Sequence, residues 1–129
     1  MTLGRLAGHI AELPSMGVSV IKTDVFDLTQ RMSGGHQPYV ARSSDDLLRT
    51  FDSNVAEVRE AIAGASDQHF NQVWSMQFGG KTLVSGPRMP MIRSIFINHI
   101  IHHRAQLGVY LRLNDIPLPA LYGPSADER

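Results

Sequence analysis

Apolar positions along this chain recur mainly at helical spacing. Leu3, Leu6, Ala7, Ile10 and Leu13 fall three and four residues apart. That stripe predicts an amphipathic helix at the start of the chain, with Thr2 as its N-cap. Pro14 would ordinarily end it, but Met16, Val18, Val20 and Ile21 keep the segment apolar and allow a kinked continuation. Residues 23–43 carry no such stripe and are punctuated by Gly34, Gly35 and Pro38. They read as an irregular connection, of a length that often lines a site. A second stripe, Leu47, Phe51, Val55, Val58 and Ile62, predicts a helix over residues 44–63. Ser44 would cap it, Asp45 and Asp46 suit its positive end, and Gly64 would close it.

Ser66 predicts the cap of a short helix through Phe70, Val73 and Trp74. Gly79-Gly80 then separates two short mixed runs, residues 75–78 and 81–84, whose pattern fits a small hairpin or a loop equally. The last helix is expected over residues 90–113, opened by Pro90 and stopped before Pro117 and Pro119, with an extended tail beyond. Three helices with little strand signal predict an all-α bundle, and no linker divides residues 1–129 into more than one domain.

Composition narrows the chemistry. The 129 residues hold no cysteine, which removes disulfides, a thiolate nucleophile and iron–sulfur or cysteine-held zinc sites. Twelve basic residues balance twelve acidic ones, which argues against a nucleic-acid or membrane-surface partner. No apolar run reaches the length of a membrane span, and Arg5 and His9 interrupt any signal-peptide core. The expectation is a cytoplasmic protein whose chemistry rests on oxygen and nitrogen groups.

Six histidines supply the nitrogen. His99 and His103, four residues apart in the last helix, share one face with their Cβ atoms about 5–6 Å from each other. A metal ion with metal–nitrogen bonds of about 2.1 Å fits between two imidazoles so placed. His9, between Leu6 and Leu13 on the inward face of the first helix, is the best third ligand. His102 lies to one side, and His36 and His69 fall in a connection and near a helix start. The Glu of the metalloprotease pattern H-E-x-x-H is missing, because Ile100 follows His99. The competing interpretation of all three histidines is a hydrogen-bonded core role.

Three stretches carry more than spacing: TLGRLAGHIAELP at 2–14, NHIIHHRAQLGVYLRL at 98–113 and IPLPALYGPSADE at 116–128. Together they resemble the DinB/YfiT-like family, over nearly the whole chain, with the specific motifs at its two ends. The resemblance implies an up-down-down-up four-helix bundle and a divalent ion (Zn, Ni or Fe) on His9, His99 and His103. Some members of that family are thiol S-transferases using bacillithiol or mycothiol, and others are mycothiol-dependent isomerases. The family's usual helix ahead of the segment matching residues 2–14 is missing here, and the apolar groove this would expose predicts a homodimer.

Without cysteine of its own, the protein would take its thiol as a low-molecular-weight co-substrate and transfer it to a small electrophile. Alternatives are a non-catalytic, stress-related metal-binding or interaction domain and, more weakly, a metal-dependent hydrolase. Asn98, Gln106 and Glu12 are candidates to orient the imidazoles. Arg104 is a candidate to bind a carboxylate on the thiol, or else to pair with a neighbouring acid, and Arg112 and Asp127 invite the same two readings. Residues 23–43, with His36 and Tyr39, are a candidate cap for the metal cleft, the competing interpretation being a disordered loop. Trp74 and Tyr110 read as core or rim residues.

Overall fold

A computed structural model describes residues 1–128. Helix α1 (Leu3–Lys22) begins where the stripe predicts, with the Thr2 hydroxyl accepting from the Arg5 N–H, and runs unbroken through Pro14. Pro14 donates no backbone N–H, and the Ser15 hydroxyl donates to the Glu12 carbonyl at 2.7 Å in the same turn. Both Leu13 and Pro14 are buried, so packing holds the helix through a residue that would end an isolated one.

Residues 23–43 are more structured than expected. A short strand β1 (Val25–Asp27) leads into α2 (Leu28–Ser33), whose N-cap Asp27 accepts from the Thr29 N–H at 2.8 Å. Helix α3 (Ser44–Gly64) packs along α1, capped by Ser43 rather than Ser44. Gly17 lets the two approach: a Cβ there would lie 2.6 Å from Val58 and 2.9 Å from the Phe96 ring. Helix α4 (Asp67–Phe70) is capped by Ser66 and is followed by strands β2 (Val73–Phe78) and β3 (Lys81–Pro87).

The Gly79-Gly80 turn therefore closes a hairpin. Both glycines have positive φ, 55° and 76°, as the favoured two-residue hairpin turns require. β1 adds to the hairpin in parallel with β2, Val25 opposite Ser75, giving the order β1-β2-β3. The expected all-α, up-down-down-up four-helix bundle is thus overturned: the chain is mixed, helices with a three-stranded mixed sheet. The strands were obscured because β1 is three residues long and β2 and β3 alternate weakly between buried and exposed positions.

The main core lies where the C-terminal half of α1 meets the sheet, with Val20, Ile21, Phe70, Trp74 and Ile92 buried together. Buried Arg88 finishes that end. Its guanidinium donates to the Val20 and Thr23 carbonyls at 3.1 and 2.8 Å and pairs with Asp24. This satisfies carbonyls left open at the C-terminus of α1 and sets a cation at the negative end of its dipole. The last helical stretch has three parts: α5 (Arg88–Met91), a π-helical stretch (Ile92–Asn98) and α6 (His99–Arg112). No described helix is long and apolar enough to cross a membrane.

Candidate metal centre

His9 comes from the middle of α1, while His99 and His103 open α6 one turn apart. Their rings converge. Centroids are 5.3 Å apart for His9 and His99, and 4.7 Å for both His9 with His103 and His99 with His103. One ring nitrogen from each lies within 4.8 Å of the other two. Donors bonded at about 2.1 Å to one ion with tetrahedral angles are about 3.4 Å apart. The triad is therefore within small side-chain rotations of a three-nitrogen ligand set, and this His9–His99–His103 group can hold a metal ion.

Two of the imidazoles are oriented from behind. His103 Nδ1 lies 2.7 Å from Gln106 Oε1. Because an amide oxygen only accepts, Nδ1 carries the proton and Nε2 keeps its lone pair. The π-helical stretch, a feature that often marks functional sites, ends immediately before His99. The His99 backbone N–H bonds the Phe96 carbonyl, and its ring hydrogen-bonds to the backbone of Ile95.

Electrostatics favour the ligand form. Burial first, then the neighbouring His103, His99 and Arg5, push the His9 imidazole down to about 4, against an upward pull from Glu12. Burial and His103 also lower His99, partly countered by the Ile95 hydrogen bond. A proton on these rings is disfavoured by the desolvation and crowding that a cation-binding site needs, and a ligating imidazole must be neutral.

His9 and His99 also line a cleft of about 360 Å³. Its apolar wall includes Leu13, Met16, Met76 and Ile95, and its polar side includes Arg5, Glu12, Arg31 and His36. The expected cap is thus present in part, since Arg31, His36 and Pro38 from residues 23–43 reach the cleft. Tyr39 lies on the adjoining hollow, and the segment bearing it crosses α1 so closely that a Cβ on Gly8 would sit 2.7 Å from the Tyr39 carbonyl. The Tyr39 N–H donates to Glu12 Oε1 at 3.2 Å, and Arg5 pairs with Glu12 Oε2 at 3.4 Å. Arg31 donates to His36 Nε2 at 2.7 Å. Arginine only donates, so this nitrogen is an acceptor, and its 3.7 Å approach to Glu12 is proximity and not an ion pair.

The remaining candidates fall elsewhere. Arg104 is exposed and lines a separate apolar hollow of about 310 Å³ with Ile10, Phe51, Ile100 and Ile101. Arg112 pairs with Asp127 at 2.7 Å, and Trp74 is core. His69 bonds the Ile21 carbonyl at 2.8 Å, and exposed His102 flanks His103 without joining the triad. Of the three proposed orienting residues, Gln106 acts on His103 and Glu12 anchors the polar wall; Asn98 is exposed at the end of the π-helical stretch. Spacing had overlooked Arg5 and Arg31. Arg5 is one turn before His9 on the same helix face, a signal legible in the sequence, whereas Arg31 arrives only through α2. No family model matches this chain, and no curated protein or solved structure matches it either.

Proposed function

We propose that this protein is a divalent-metal enzyme in which His9, His99 and His103 hold the ion beside the 360 Å³ cleft that His9 and His99 line. The observation that carries the proposal is the convergence of three imidazoles from two separate helices, two of them lining a cavity of ligand size. Zinc, nickel and iron all suit an all-imidazole donor set. When bound, such an ion supplies Lewis acidity that lowers the pKa of a coordinated water or thiol.

The chain's own residues do the rest. Gln106 fixes the His103 tautomer, the Ile95 backbone orients His99, and burial keeps His9 neutral at physiological pH. Leu13, Met16, Met76 and Ile95 give the cleft a water-poor wall. With no cysteine in the sequence, a sulfur nucleophile has to be imported. That requirement, with the resemblance to the DinB/YfiT-like family, supports transfer of a low-molecular-weight thiol to a small electrophile. The cytoplasm, where such thiols are kept reduced, is the matching compartment.

The test is an assay of metal-loaded protein with bacillithiol, mycothiol and glutathione against a model electrophile. The expected result is equimolar loss of one thiol and the electrophile, abolished in His9→Ala and His103→Ala. Consumption no faster than without protein, for all three thiols, would overturn the transferase assignment.

One observation favours a second reading. No residue of α6 is fully buried, so an ion tying His99 and His103 to His9 could serve to clamp α6 onto α1 without any reaction.

A further inference from the structure

Arg31 is the one cation of the cleft whose environment leaves its charge uncompensated. Its guanidinium lies 5.8 Å from the Phe26 ring centroid, with one nitrogen 3.7 Å from Met16 Sδ and another 2.7 Å from neutral-accepting His36 Nε2. These are soft or neutral partners, and no described carboxylate comes within ion-pair distance of it. Glu12 is the nearby acid, but it accepts from the Tyr39 N–H and pairs with Arg5, not with Arg31. A guanidinium has five N–H donors in a planar fork, so most of Arg31's capacity faces no protein acceptor. A guanidinium with no acid partner beside an apolar wall is placed to receive an anion through its remaining donors, and such charge-assisted bonds are the strong ones.

From this arrangement we infer that the cleft takes a small monoanionic carboxylate with an apolar body, its acid group held by Arg31 and its body against Met16, Met76 and Ile95. Before any metal is counted, Arg5 and Arg31 outnumber Glu12 among the charged side chains of the polar side, a balance that favours an anion over a neutral ligand. A volume of about 360 Å³ is near the lower end of ligand pockets and suits a compact acid. The cation that the sequence suggested for this task, Arg104, is outside the cleft. The end of the ligand pointing at His9 and His99 is its reactive end only if these histidines hold a metal, so that orientation rests on the function proposed above. The carboxylate anchor does not.

Calorimetric titration of zinc-loaded protein with 3-phenylpropionate and with its neutral isostere 3-phenylpropionamide tests the inference, with zinc content measured on every sample. The acid is expected to bind about tenfold more tightly than the amide, the order of one charge-assisted hydrogen-bonded contact. Arg31→Gln should erase that preference and Arg31→Lys, which keeps the charge but not the fork, should retain part of it. Zinc content should be unchanged in both. Equal binding of acid and amide by the unaltered protein would overturn the inference, as would a full acid preference surviving in Arg31→Gln, because the carboxylate would then be seated elsewhere. If Arg31→Gln fails to fold, a full acid preference in Arg31→Lys overturns it equally. Protein that takes up no zinc yet prefers the acid through Arg31 would remove the metal centre and leave the carboxylate site standing.

Discussion

The three histidines are a case where one set of physical causes makes residues both poor bases and good ligands. Burial and mutual proximity hold His9 at about 4 and lower His99. This has a consequence for the metal-free protein. Above the ordinary imidazole value of about 6.5, His9 is neutral in both the folded and the unfolded chain and contributes no pH dependence. As pH falls from about 6.5 towards 4, the unfolded chain binds a proton that the folded chain resists, so folding stability falls across that window. His99 acts in the same direction. Urea midpoints of metal-free protein should therefore drop more between pH 7 and pH 4.5 than those of His9→Phe. Equal drops would show that His9 is not held neutral by its surroundings. The triad itself was legible from helical spacing, because i, i+4 geometry and an inward position on an apolar stripe are local properties. The pairing of Arg112 with Asp127 was among the readings, but the arginines of the cleft were not: adjacency to His103 pointed to Arg104, which lines a different hollow.

Among the elements, those built from long amphipathic stripes were readable and those built from short or irregular hydrogen bonding were not. α1 and α3 follow their stripes, and Ser66 caps α4 as expected. β1 is three residues that gain order only by pairing with β2, and the π-helical stretch has no periodic signal distinct from an α-helix. Both matter to the site, since β1 leads directly into α2, which carries Arg31, and the π-helical stretch leads directly into His99. α6 is held to α1 by partial burial, by the preceding π-helical stretch and by the Tyr110 hydroxyl, which donates to the Met1 carbonyl at 2.9 Å. Those contacts predict a helix that persists without metal. Chelation should lower the melting temperature as expected from loss of a ligand that binds only the folded state, about 2.7 kcal/mol at a hundredfold excess over Kd, while far-UV circular dichroism at 25 °C stays the same. A loss of helical signal on chelation would favour the clamp reading over the enzyme.

Across the whole molecule, α1 joins the core to the candidate site. Its C-terminal half enters the core formed with the sheet and is finished by Arg88, whereas its N-terminal half carries His9 and Glu12 to the cleft. The mixed sheet is what the helical periodicity concealed, and it contributes directly to the site, because Met76 of β2 forms part of the cleft wall. The three histidines are only half-buried and lie outside the buried cluster of Val20, Ile21, Phe70, Trp74 and Ile92, so the fold can lose one of them, and metal content and folding are separable here. The most direct measurement is elemental analysis of tag-free protein after reconstitution with zinc, nickel or iron, set beside His9→Ala, His99→Ala and His103→Ala. The account predicts about one ion per chain in the unaltered protein and a large loss in each variant, with circular dichroism unchanged. Failure to retain any of the three metals, or equal retention by the variants, would contradict the three-histidine centre.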